Sequence, residues 1–98
     1  MTASFEPEIT GRLQRALVAF QKAQGMLLTA HRKLKDLPSD EVNRFWLGSG
    51  ARLEAHLNTT AAEVLAAFQA FSAAGLVVSA HDRHLVSEAQ RHRAQNGP

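Results

Sequence analysis

Residues 7–37, PEITGRLQRALVAFQKAQGMLLTAHRKLKDL, decide the fold. Within them Ile9, Leu13, Ala16, Phe20, Ala23, Leu27, Ala30, Leu34 and Leu37 alternate spacings of four and three. That is a heptad seam, sustained for about four repeats. Pro7 stands where a missing N–H costs nothing, in a first helical turn. The stretch predicts one helix from about Pro7 to Leu37, roughly 45 Å long at about 1.5 Å per residue. Pro38 stops it, and Ser39 or Asp40 can cap a short extra helix over residues 40–47.

The second half repeats the pattern. Leu57, Val64, Phe71, Val78 and Leu85 recur at every seventh position, with Leu53, Thr60, Ala67, Ala74 and His81 interleaved. This predicts a second long helix from about Ala51 to Ala94, separated from the first by a flexible break at Gly48-Ser49-Gly50. Two long heptad helices joined by a short connection make an all-α antiparallel helical hairpin, one domain over residues 1–98. The ends, about 1–6 and 95–98, read as disordered. The expected core is Leu13, Phe20, Leu27 and Leu34 from the first helix. Leu57, Val64, Phe68, Phe71, Val78 and Leu85 join it from the second.

A hairpin alone leaves apolar residues over. Leu17, Met26 and Leu28 lie off the first seam, and Leu65, Phe68 and Leu76 off the second. One neighbouring helix covers a narrower stripe than this, and two helices enclose no core. The expectation is association with a second copy or a similar hairpin into a dimeric four-helix bundle, with C₂ closure as the default.

Composition narrows the chemistry. The chain has 98 residues and no cysteine, which excludes disulfides, thiolate metal ligands and cysteine nucleophiles. Eleven Lys and Arg against nine Asp and Glu leave a formal charge of +2, a weak field despite a pI near 9.7. The first residues lack a basic flank followed by an apolar core, so no secretory signal peptide is read there. The run from Val64 to Ala80 has no ionisable side chain and is barely long enough to span a bilayer. Gln69, Ser72, Gly75 and Ser79 dilute its hydropathy, so it reads as a buried bundle helix rather than a membrane span.

The only tryptophan lies in Phe45-Trp46-Leu47-Gly48-Ser49-Gly50, between the two seams. Gly48 and Gly50 permit a bend, and Trp46 offers a large apolar body to pack across the hairpin end. On Trp46-Leu47-Gly48, the helix layout and the length, the sequence resembles the WXG, or ESAT-like, family of small type VII secretion substrates. The resemblance implies a helical hairpin with Trp46 and Gly48 at its bend, paired as a homo- or heterodimeric bundle. It also implies a protein held in the cytoplasm before export, secreted without an N-terminal signal, with a secretion ATPase as partner. The family's second signal is Tyr-x-x-x-Asp/Glu after the second helix's core. Its nearest match here is His84-Leu85-Val86-Ser87-Glu88, with imidazole in place of the phenol. That departure implies reliance on a partner carrying the fuller signal.

Other readings of the same residues are weaker. His81, His84, Glu88 and His92 fall at spacings of three and four, which can bring metal ligands to one helix face. The interleaved Asp82, Arg83, Arg91 and Arg93 favour a solvated helix end instead, and no cofactor is expected. Basic residues cluster at His31-Arg32-Lys33-Leu34-Lys35 and at Arg91-His92-Arg93. In an antiparallel hairpin these clusters sit at opposite ends, which argues against one nucleic-acid patch. A cytosolic helical adaptor or small regulator, binding nucleic acid through those ends, is the alternative function. Enzymatic chemistry lacks a signature: Ser49 has no Gly-x-Ser-x-Gly around it, and the Asn58-Thr59-Thr60 sequon falls inside a helix.

Overall fold

The computed structural model describes residues 6–96, and they form four helices. These are α1 (Glu6–Leu34), α2 (Ser39–Leu47), α3 (Ser49–Ala73) and α4 (Ala80–Asn96). The predicted disorder of residues 1–5 and 97–98 lies outside the described residues, whereas Glu6, Gln95 and Asn96 belong to helices. The body measures 58 × 24 × 19 Å, an elongated rod.

Helix α1 follows its seam closely. Glu6 and Glu8 stand in its first turn and His31, Arg32 and Lys33 in its last, each sign favourable to the helix dipole. It ends at Leu34, three residues before the expected Leu37, as Leu37 N–H closes a tighter turn on Leu34 O at 3.1 Å ahead of Pro38. Pro38 itself is the N-cap of α2. Its φ of −60° and ψ of 152° leave its carbonyl to accept the N–H groups of Glu41 and Val42, both at 3.1 Å. Neither Ser39 nor Asp40 caps α2 through its side chain, contrary to the expectation; both already lie within the helix.

The largest correction concerns the second half, which is not one helix. Chain direction reverses at residues 74–79, and the signature is a Schellman motif. Gly75 takes a φ of +79°, its N–H reaches Ser72 O at 2.9 Å, and Leu76 N–H reaches Phe71 O at 3.2 Å. Ser79 then starts α4: its Oγ accepts the Asp82 N–H at 3.1 Å, and its carbonyl accepts the Arg83 N–H at 2.9 Å. The seven-residue rhythm had continued through this break by coincidence of spacing.

Helix α4 folds back against the packed pair α1 and α3. Arg12 of α1 bonds Glu63 of α3 at 2.6 Å, and at the other end Leu34 and Leu53 line one groove, so α1 and α3 are antiparallel. Gln14 donates to Asp82 at 3.1 Å and Gln24 to Glu88 at 2.7 Å, so α4 runs parallel to α1. Arg93 donates to Asn58 Oδ1 at 2.9 Å, tying α4 to α3. Three helices therefore enclose a core of their own. Phe20, Leu13 and Val64 are its largest fully buried side chains.

Of the predicted core, Leu13, Phe20, Leu34, Leu57, Val64, Phe71 and Leu85 are buried. Leu27, Phe68 and Val78 are half-buried and pack against it. Leu17, Val86, Ala61 and Ala89 join it without having been assigned to the core from the seams. Leu17 is covered because α4 supplies a third wall, and Leu65 and Leu76 pack against the same cluster. Much of the apolar excess that called for a partner is thus satisfied within one chain. The interleaved seam fails beyond α3: Thr60 and Ala67 are buried, but Ala74 and His81 are exposed. The buried Thr60 hydroxyl is satisfied by Leu57 O at 2.9 Å. No described helix is long and apolar enough to cross a membrane, and the ion-free run Val64–Ala80 is interrupted by the Gly75 turn.

Candidate functional site

The junction of α2 and α3 is where the sequence placed its one tryptophan, and the structure builds a small aromatic platform there. The Trp46 ring centroid lies 4.8 Å from that of His31, the planes tilted by 42°. Phe45 meets Trp46 edge-on, with centroids 5.1 Å apart. Both rings rest on α3 at Gly50, which is buried. A Cβ at that position would overlap Trp46 Cε3 and lie 2.9 Å from both Trp46 Cζ3 and Phe45 Cε1.

The glycine demanded by this packing is therefore Gly50. Gly48 has a negative φ of −116°, and a Cβ there would sit at an ordinary 3.8 Å from Arg44 O. The expected flexible break is also shorter than the sequence suggests. Gly48 alone separates the helices, and Ser49 and Gly50 belong to the first turn of α3. A readable signal existed: an aromatic pair four and five residues before a glycine lets a ring rest on bare backbone once the chain reverses.

Seated in this way, Phe45 becomes one wall of an apolar groove of about 800 Å³. Leu53 of α3 joins it, and Met26, Ala30 and Leu37 come from the first helix and its exit. Met26 is 50% exposed and Leu37 43%. The only ionisable side chains in its lining are Lys22 and Lys33. Above Gly25 the groove is open, since a Cβ there would meet nothing within 4 Å. Sequence reasoning missed Phe45, Leu53 and Gly25, because the groove depends on where α2 lies.

The second candidate element sits elsewhere, on α4. His84 Nε2 and Glu88 Oε1 are 2.7 Å apart, one helical turn from each other, and Gln24 of α1 holds the other carboxylate oxygen at 2.7 Å. His84 is exposed and Glu88 half-buried. The structure does not bring this pair to Trp46. Glu88 lies level with Gln24, whereas Trp46 lies against His31, about two turns further along α1.

The possible metal ligands His81, His84, Glu88 and His92 do not converge. His81 is exposed, His84 is engaged by Glu88, and His92 lines a separate cleft with Leu27, Leu57 and Asn58. No cluster of three metal-ligating side chains occurs among the described residues. Asn58 of the sequon lies inside α3 and accepts a hydrogen bond from Arg93.

The basic clusters are placed differently from expectation. Because α4 runs parallel to α1, Arg91 and Arg93 come to the same end of the rod as Arg32, Lys33 and Lys35. Asp36, Asp40, Glu41 and Glu54 share that end and dilute the charge. The chain matches no family model, no curated protein and no solved structure.

Proposed function

We propose that this chain acts by helix–helix association with another protein, as a WXG-like substrate or co-exported partner of a type VII secretion system. Catalysis is no part of the reading. The observation that carries it is the groove beside α1, apolar yet open, whose far wall is held in place by Trp46 on Gly50. A groove of this kind exposes apolar area that association removes from water. Met26 in its lining and Val18 in the adjoining depression are each at least half exposed. In the bundle that the resemblance implies, a partner's helices lie along this side, and Trp46 marks the bend at one end. In this reading His84 and Glu88, paired on α4 with Glu88 also held by Gln24, serve as the degraded export signal.

Two measurements test the reading. Export into the medium from a host with a type VII system is expected to fall for Trp46→Ala and Glu88→Ala at equal intracellular levels. Unchanged secretion of both variants would overturn the export assignment. Solution mass tests association: a chain that remains at 10.7 kDa at every concentration and with every candidate partner would overturn it.

A second reading is favoured by one observation, the meeting of the α1 and α4 basic ends. It makes the chain a cytosolic adaptor or small regulator that binds nucleic acid there. Duplex DNA binding with a steep salt dependence would support it, and a flat dependence would exclude it.

A further inference from the structure

We infer that the outer face of α1 is the docking surface for an acidic amphipathic helix of a different protein, seated over Gly25 and flanked by Lys22 and Lys33. The inference rests on the association reading above and names the chemistry of the partner.

Charge selects the occupant. Between Ile9 and Leu34, α1 carries Arg12, Arg15, Lys22, Arg32 and Lys33 and no acidic residue. Arg12 is engaged by Glu63. Lys22 and Lys33 have no ion pair or side-chain hydrogen bond among the described residues, and both line the groove, three turns apart on either side of Gly25 and Met26. Arg15 and Val18 extend the same stripe through an adjoining shallow depression that also includes Lys22. From Arg15 to Lys33 the stripe is about 27 Å long, the span of a helix of about 18 residues. Apolar residues run along it, and cations stand at intervals beside them. The complement is a helix with an apolar stripe bordered by Glu or Asp.

A second copy of this face is a poor occupant. A two-fold axis through the groove centre, midway between Lys22 and Lys33, sets each lysine opposite the other copy's, with no carboxylate on α1 between Ile9 and Leu34 to intervene. Gly25 adds a steric argument. A glycine inside a helix costs stability, and this one meets no packing requirement in its own chain. Its bare backbone lets a second helix approach closely beside Met26.

The test uses the full chain and two synthetic helical peptides of about 18 residues. They share a leucine stripe at three–four spacing and differ only in carrying Glu or Lys beside it. In fluorescence anisotropy at low salt, the Glu peptide is expected to bind about tenfold tighter than the Lys peptide, and this preference shrinks as salt rises. Lys22→Glu with Lys33→Glu should invert the preference. Gly25→Leu should abolish binding while the melting temperature holds or rises, since Gly25 lines the groove and a Cβ there meets nothing within 4 Å. Equal affinity for both peptides, no binding of either, or unchanged binding by Gly25→Leu would overturn the inference. Mass measured on the same samples separates it from the parent reading. A self-associated dimer that Gly25→Leu dissolves overturns the acidic partner and leaves association standing. A monomer that binds neither peptide and exports independently of Trp46 removes both.

Discussion

Replacing Gly50 by alanine tests the contact on which the groove depends. The added methyl would overlap the Trp46 six-membered ring at Cε3, with Trp46 Cζ3 and Phe45 Cε1 only 2.9 Å away. Neither ring can yield by a small torsion, because the two are packed edge to face at 5.1 Å and Trp46 also lies against His31. Overpacking of this kind costs about 1–3 kcal/mol. Alanine recovers less than about 1 kcal/mol of helix propensity, because Gly50 stands in the first turn of α3. The expected net loss is about 1–2 kcal/mol, or a melting point roughly 5–15 °C lower for a chain of this size. Because α2 buries no residue of its own, it is the element that gives way. Trp46 is the sole tryptophan, so its emission reports that movement directly and should shift to the red. Gly48→Ala is the control, with no close contact beyond 3.8 Å from Arg44 O, and should disturb the emission less. A Gly50→Ala protein that melts at or above the parent temperature with unshifted emission would refute the seating of Trp46 on α3.

Four further outcomes follow from the packing. Gly75→Ala forces an L side chain to a φ of +79° and should cost about 1–2 kcal/mol in chemical denaturation; no loss would mean the reversal does not need that conformation. Ser79→Ala removes the acceptor of the Asp82 N–H and should cost about 1 kcal/mol by the same assay, with an unchanged midpoint counting against the cap. Phe20→Ala empties the centre of the core at a cost of about 3–5 kcal/mol, a large part of a small domain's stability; a sharp melt near the parent temperature would contradict its burial. In native-state hydrogen exchange the amides of α4 should open before those of α1 and α3, since among its described residues α4 buries only Leu85, Val86 and Ala89; uniform protection would show one cooperative unit.

How much of this was legible follows from where the physics is local. The α1 seam was readable because a heptad spacing and Pro38 are both sequence-local signals, and Leu13, Phe20 and Leu34 are buried as the spacing requires. The short helix before the tryptophan was readable for the same reason. The reversal at Gly75 was written in the chain as glycine followed four residues later by Ser79 and then Asp82, a helix stop and a helix start. It was obscured by a stronger pattern, since Val78 and Leu85 keep time with Leu57, Val64 and Phe71 whether or not the backbone continues as a helix. The site was harder. Trp46 stands out in any reading, but that its support is Gly50, and that Phe45 and Leu53 face Met26, depends on the tilt of α2 against α3. Tilt is a tertiary quantity, set by how two aromatic rings settle on a glycine, and no spacing rule contains it.

The position of α4 changes what association can mean for this chain. A bare hairpin exposes apolar surface along both flanks of each helix, and only another hairpin is large enough to cover it. Here α4 closes one flank, burying Leu17 and receiving Leu65 and Leu76 against the common core. Still open are the opposite side of α1, with Val18 and Met26, the wall of Phe45 and Leu53 beside it, and Leu28 on the flank toward Glu88. The α1 face runs about 27 Å from Arg15 to Lys33, whereas a bare hairpin would leave both flanks of each helix open. Closure by a single helix and closure by a second hairpin are therefore separate architectures, and the backbone at Gly75 divides them. With its φ at +79° the chain supplies its own third helix. In a continuous second helix that third wall would have to come from another molecule. The three-helix core thus leaves a partner less apolar surface to cover than a bare hairpin would.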